Sequence, residues 1–198
     1  MRLLRSLDER LLRIARTRWH SRGAERAVIG FSRIGEHGAV WLALGAAGQG
    51  LDRRRRAGWR RAVRAVGLAY ALNTGLKLLA GRRRPELAGL PALTGTPTAL
   101  AFPSAHAATS FAGAHAYARL GLPRAALYGL ALALSGSRVY LGVHHPSDLL
   151  GGALLGTAVA QLAGPAPALS AAQALSAAQA PSATQPPPNV RHAMSHAR

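Results

Sequence analysis

Residues 1–20, MRLLRSLDERLLRIARTRWH, place Leu3, Leu4, Leu7, Leu11 and Ile14 at helical spacing with arginines between them. That spacing collects apolar side chains on one face and charge on the other. It predicts an amphipathic basic helix over residues 1–22, lying in a membrane interface. The stretch has neither an uninterrupted apolar core nor a small-residue cleavage site, and so is not read as a signal peptide. Apolar segments follow at about 37–51, ended by DRRRR, and at about 62–81, ended by RRRPE. Residues 85–102 hold three prolines and predict an irregular, partly apolar loop. A third segment opens at Pro103, a residue suited to a first helical turn. A fourth is RAALYGLALALSGSRVYLG and a fifth PSDLLGGALLGTAVAQLAG. Their Gly, Ala and Ser content suits helices packed closely in lipid. Several fall short of the roughly 20 apolar residues of a full span, a deficit that tilt and arginine snorkelling must cover.

The expected architecture is therefore all-α, a polytopic membrane helix bundle of five or six helices including the N-terminal one. A membrane-embedded domain occupies 23–164. Beyond Gly164 the unit ALSAAQ recurs and a proline run follows, so 165–198 is expected to be a disordered low-complexity tail in which His192 and His196 are inert.

Composition sharpens this picture. The chain has 198 residues, is 49% hydrophobic and carries a formal net charge of +18. Those facts agree when apolar segments alternate with short basic loops. Nucleic acid is the other partner such charge suggests. The low aromatic content and the lack of a recognition-helix pattern argue against it, and anionic lipid headgroups fit better. With no cysteine, disulfides and thiolate metal sites are excluded. All but one of the 25 Lys and Arg residues are arginine, which makes the lone Lys77 conspicuous. From residue 87 onward the chain holds a single acid, Asp148.

Polar residues near the segment ends gather in three clusters. Lys77 and Arg84 lie seven positions apart. Lysine supplies a point charge and arginine a bidentate fork, and a phosphate uses both. Pro103 to His106, PSAH, stands at a helix start, where free N–H groups and a partial positive charge favour an anion. Ser104 is also a possible helix cap, whereas His106 has no such ordinary role. His115, in the same segment, reads as structural, paired to a neighbouring helix. The third cluster runs from Arg138 through Gly142 to His144 and Asp148. A carboxylate four residues after a histidine can orient the imidazole and raise its basicity, turning it into a nucleophile or base. Three cations, a helix N-terminus and two histidines, one backed by an acid, suit phosphoryl transfer. No cluster has metal-like spacing, and no cofactor is expected.

Lys77–Pro85 as K-x6-RP, Pro103–His106 as PSAH and Ser137–Asp148 as SR-x5-H-x3-D together resemble the three-part signature of the PAP2 superfamily, the type 2 phosphatidic acid phosphatases. The match spans about 75–150 and departs at Ala105, where the family has glycine. The resemblance implies a fold of the acid phosphatase–vanadium haloperoxidase type and a metal-independent membrane phosphatase working through a phosphohistidine. It further implies that Lys77, Arg84, Ser104, Ala105 and Arg138 bind phosphate, His144 attacks, Asp148 orients it and His106 protonates the leaving oxygen. His145 lies outside the motif and reads as a packing or headgroup residue. A haloperoxidase reading fits a short membrane-like chain poorly. A non-catalytic lipid-binding scaffold is the main rival, opposed by the complete nucleophile and acid. The expected substrate is a lipid phosphate or pyrophosphate. A likeness to compact actinobacterial members adds the decaprenylphosphoryl-5-phosphoribose phosphatase of cell-wall arabinan synthesis as an alternative. The expected setting is a multi-pass cell-membrane protein with its active site on the external face. The oligomeric state is not legible.

Overall fold

The computed structural model describes residues 2–164. Among them the chain is all-helical: α1 (Arg2–Thr17), α2 (Arg22–Arg33), α3 (Ala39–Leu51), α4 (Arg56–Ala80), α5 (Ala105–Ala118), α6 (Arg124–Tyr140) and α7 (Pro146–Leu162). The all-α expectation holds, with seven helices where five or six were expected. The addition is α2, whose start is set by Ser21 accepting the N–H of Ala24 at 3.2 Å. It is a short amphipathic helix whose apolar residues are Ala24, Ala27, Val28, Ile29 and Phe31, too brief a stretch to stand out as a membrane segment. The expected tail, 165–198 with His192 and His196, lies outside the described residues.

α4 starts six residues before the apolar segment expected at 62. Asp52 accepts the Arg55 N–H at 3.2 Å and the Trp59 indole N–H at 3.2 Å, which fixes the turn into α4. Arginine is a good helix former, so the helix continues through Arg56, Arg60, Arg61 and Arg64. It ends at Gly81 with φ 60°, a left-handed cap. No helix among the described residues is both long and apolar enough to cross a membrane. α4 has the length but spends its first half on arginines; α3, α5, α6 and α7 run only 13 to 17 residues.

α5 is the central helix, packed on α4, α6 and α7. Nine of its fourteen residues are buried and most are small, which lets neighbours approach closely. Gly152 of α7 faces the Ser104 carbonyl and the Ala107 methyl, and Gly156 lies against the Ala108 carbonyl. At one end of the bundle Trp41, Trp59 and Tyr117 form an aromatic core. The Trp41 indole donates to Ser110 Oγ at 3.0 Å and the Tyr117 hydroxyl to the Trp41 carbonyl at 2.7 Å. The outer faces carry Leu72, Leu78, Leu79, Leu132, Leu150 and Leu154, all exposed. An apolar exterior of that extent marks an interaction surface, and around a helix bundle it suits lipid.

A substitution at Gly156 tests the α5–α7 contact. A methyl there must displace backbone of α5, so Gly156→Ala is expected to cost about 2 kcal/mol and lower the thermal midpoint in detergent by several degrees. Gly67→Ala in α4, where an added methyl meets nothing within 4 Å, is expected to leave the midpoint unchanged or raise it. Equal losses at both positions would show that the α5–α7 contact is not specially tight.

α1 turns its polar stripe inward. Asp8, Leu12 and Arg16 are buried, while Leu3, Leu4, Leu7, Leu11 and Ile14 are exposed. Arg16 Nη2 donates to the Pro91 carbonyl at 2.7 Å, tying α1 to the long loop after α4. That loop is irregular, as its prolines require, yet anchored: Arg84 N–H donates to Ala99 O at 3.0 Å, Ala101 N–H to Arg82 O at 2.7 Å and Leu93 N–H to Leu141 O at 2.9 Å.

Candidate active site

The end of α4, the start of α5, the end of α6 and the loop before α7 meet at one end of the bundle. They enclose a cavity of about 410 Å³ whose lining includes Lys77, Arg84, Ala105, His106, Arg138 and His144. Six of the eight expected site residues therefore share one cavity. The other two, Ser104 and Asp148, are fully buried beside it.

Each side chain is held by identifiable partners. Lys77 Nζ donates to the carbonyls of Leu100, Ala101 and Pro103 at 3.3, 3.1 and 2.8 Å, so the ammonium is fixed against the strand of loop entering α5. Arg84 donates through Nε to Thr98 O at 2.8 Å and through Nη1 to Val143 O at 2.8 Å. The same Nη1 lies 3.1 Å from His144 Nε2. Arg138 Nη1 donates to Ser32 Oγ at 2.7 Å, and His106 Nε2 donates to Ser32 O at 3.1 Å. Nε2 carries the proton there, because a carbonyl only accepts. Ser32, buried in α2, thus orients two site residues at once; sequence reasoning missed it together with the helix that carries it.

Ser104 occupies the N-cap position of α5 without a capping bond from its side chain. Its N–H donates to Asp148 O at 2.9 Å, which joins the start of α5 to that of α7, and its buried hydroxyl has no protein partner. His115 meets the Tyr128 hydroxyl of α6 at 3.2 Å, the pairing to a neighbouring helix expected of it.

The histidine and the acid meet as their spacing implies. His144 Nδ1 is 3.4 Å from Asp148 Oδ2, which leaves Nε2 directed at the cavity and its cations. Asp148 Oδ2 also accepts the His145 N–H at 2.8 Å, and His145 Nδ1 stands 3.5 Å away. His145 therefore packs against the acid from outside the cavity lining. Gly142 makes the bend possible with φ 75°, and a side chain there would strike Arg16 of α1. Burial pushes the His144 imidazole down to about 4. Asp148 opposes that shift, while Arg84 and Lys77 reinforce it. The acid acts on the histidine in the expected direction, but burial outweighs it, and the ring is neutral at ordinary pH.

Two charged residues absent from the expected set complete the surroundings. Arg82 Nη1 pairs with Asp148 Oδ1 at 2.9 Å, and Arg82 Nη2 donates to Asp8 Oδ2 at 2.8 Å. Asp8 Oδ1 accepts the Ser147 N–H at 2.9 Å, capping α7 from α1. Burial alone would raise the Asp8 carboxyl; the bonds from Ser147 and Arg82 outweigh it and hold the group below the ordinary carboxylate value.

A helix bundle that gathers three cations, a helix start and two histidines around one cavity holds the groups that phosphoryl transfer uses. Residues 59–166 match the PAP2 superfamily, and the chain belongs to that superfamily. Among its relatives, the decaprenylphosphoryl-5-phosphoribose phosphatase of Mycolicibacterium smegmatis is 39% identical over 122 residues, 61% of this chain and 67% of that protein. The protein of the same name from Mycobacterium tuberculosis is 39% identical over 131 residues, 66% of this chain and 73% of its own. In fold, the chain is similar to the crystal structure of Aquifex aeolicus LpxE, with a TM-score of 0.68 and 24% identity over 79% of this chain and 94% of that one. The first transmembrane PAP2 type phosphatidylglycerolphosphate phosphatase from Bacillus subtilis gives a TM-score of 0.67 at 23% identity, over 82% and 85%. The protein is a lipid phosphate phosphatase.

Proposed function

We propose that this phosphatase hydrolyses a polyprenyl-phosphoryl sugar phosphate, of which decaprenylphosphoryl-5-phosphoribose is the instance its relatives name. The observation that carries this reading is the rest of the cavity lining. Besides the cations and histidines it includes Glu36, His37, Tyr70, Asn73, Thr74 and Thr96. These groups accept and donate hydrogen bonds or stack, as a hydroxylated leaving group requires and an acyl chain does not. His37 is held at φ 53° beside Gly38 at φ 74°, and its ring lies 5.6 Å from that of Tyr70. A non-glycine residue in that conformation costs energy, and such strain concentrates at functional sites.

In the reaction, Lys77, Arg84 and Arg138 hold the phosphoryl oxygens, with the start of α5 at Ala105 and the Ser104 group behind it. His144 Nε2 attacks phosphorus while the phosphorus–oxygen bond to the sugar breaks. His106 acts as the imidazolium, its Nε2–H held on the Ser32 carbonyl. It gives its Nδ1 proton to the departing oxygen, returns to the neutral ring, and is recharged by the proton of the attacking water in the next step. Water then cleaves the phosphorus–nitrogen bond, releasing phosphate and restoring the neutral imidazole. Asp148 orients His144 throughout. The substrate's polyprenyl tail stays in lipid, where the exposed leucines of α1 and the bundle also lie. The seven arginines Arg53–Arg56, Arg60, Arg61 and Arg64 stand at the far end of α4 from the cavity. They favour a multi-pass arrangement with that end inside and the active site on the external face.

The test is phosphate release by the detergent-solubilised enzyme, in EDTA, from phosphatidic acid, phosphatidylglycerol phosphate, a polyprenyl pyrophosphate and a polyprenyl-phosphoryl sugar phosphate. The sugar phosphate is expected to turn over fastest. Glu36→Gln is expected to raise KM for it by about tenfold, the worth of one hydrogen bond to a charged group, with phosphatidic acid hydrolysis unchanged. Fastest turnover of phosphatidic acid, or an equal Glu36→Gln effect on both lipids, would overturn the substrate assignment.

A further inference from the structure

We propose that Asp8 and Arg82 are positioning residues for phosphoryl transfer, acting on His144 through Asp148 and never touching the substrate. The inference rests on the reading of His144 as the nucleophile. Its basis is a chain of charge, two buried carboxylates joined by half-buried Arg82, that crosses from α1 to the site. Asp148 is fully buried and divides its two oxygens: Oδ2 faces His144, and Oδ1 pairs with Arg82 at 2.9 Å. The Arg82 guanidinium bridges to Asp8, which is 4% exposed, and also donates to Ser147 Oγ at 2.6 Å. Ser147 in turn gives its hydroxyl and its N–H to Asp8 at 2.5 and 2.9 Å. One carboxylate is thereby held from two sides, with a single oxygen left for the imidazole. Neither Asp8 nor Arg82 lines the cavity, so neither reaches a bound phosphate.

Such an arrangement does two things. It fixes the carboxylate rotamer that aims His144, and partners of this kind cost about 10- to 100-fold when removed. It also sets the charge felt by His144. The groups facing that ring are Asp148 from α7, Lys77 from α4, Arg84 from the loop, His106 from α5 and, one step behind Asp148, Arg82 and Asp8. Removing Arg82 leaves Asp148 less compensated and stabilises imidazolium. Removing Asp8 leaves Arg82 uncompensated and destabilises it. The two substitutions therefore act in opposite directions, which a purely structural contact has no reason to do.

The experiment compares the full-length, detergent-solubilised wild type with Asp8→Asn, Arg82→Gln, the double variant and His144→Ala, on one lipid phosphate across pH. Each single variant is expected to lose about tenfold in kcat with KM within twofold. The acid limb of kcat/KM is expected to move by roughly half a pH unit, down for Asp8→Asn and up for Arg82→Gln, and to return near wild type in the double variant. Asp8→Glu is expected to restore the wild-type limb. Arg82→Lys keeps the charge but not the fork, and is expected to lose kcat with the limb in place. It serves if either neutral variant fails to fold. Wild-type kcat and limb in Asp8→Asn and Arg82→Gln, or limb shifts of the same sign, would overturn the proposal while leaving the nucleophile intact. Turnover surviving in His144→Ala would overturn the nucleophile and this inference together.

Discussion

His144→Ala enzyme is expected to release lipid phosphate at least about 10⁴-fold more slowly than wild type, with unchanged expression and thermal midpoint in detergent. The reason lies in what remains. The cations and the start of α5 still bind the phosphoryl group, so KM changes little, but no other nitrogen is placed to attack. His106 faces the same cavity, yet its Nε2 is committed to the Ser32 carbonyl. His145 turns toward Asp148 and away from the cavity lining. Trapping with radiolabelled substrate is expected to mark the wild type at His144 and leave the variant unlabelled. The wild-type pH profile carries the same signature. Burial pushes His144 down to about 4, so the attacking form is lost only as pH falls through that value. The enzyme's contribution to the acid limb of kcat/KM is therefore expected near pH 4, well below the 6.5 of an ordinary histidine. A limb at 6.5, or substantial turnover without His144, would remove this residue from the mechanism.

Asp148→Asn is expected to lower kcat by about 10³- to 10⁴-fold. Asparagine keeps the size but offers an amide where the site needs a charge. Oδ2 accepts the His145 N–H at 2.8 Å while facing His144 Nδ1, and Oδ1 faces Arg82. An amide satisfies at most one of those faces and presents its NH₂ to the other. Either the imidazole takes the wrong tautomer or Arg82, half-buried, is left with Asp8 as its one anion. The first outcome costs rate and the second some stability. A fall in kcat with a nearly constant KM is the expected split, since Asp148 does not line the cavity. A variant within tenfold of wild type would show that the His144 orientation is set by packing alone.

The site was legible along the chain to the extent that its chemistry is local. Lys77 and Arg84 flank one helix end, and PSAH opens another. His144 and Asp148 are four residues apart, so a single turn brings them together. The apolar segments likewise marked α3 through α7, because burial against neighbours and lipid demands apolar residues at those positions. Ala105 stands where the family has glycine, and the cavity forms with it in the lining.

What periodicity could not carry is contact between distant segments. Asp8 and Ser147 are 139 residues apart, Arg82 and Asp8 are 74 apart, and Arg138 and Ser32 are 106 apart. Nothing in the pattern around Asp8 separates it from any solvated charge on an amphipathic helix. It is buried because α1 packs the face carrying Asp8, Leu12 and Arg16 on α6 and α7 and leaves Leu3, Leu4, Leu7, Leu11 and Ile14 outside. Ser32 is hidden for a similar reason: its partners Arg138 and His106 lie on other helices, and spacing within α2 does not show them. Spacing within one segment tells which atoms share a helix turn, and so it paired His144 with Asp148, the proposed nucleophile and its acid. Which residues hold that acid, and how far burial lowers the histidine beside it, depends on the packing of helices onto one another.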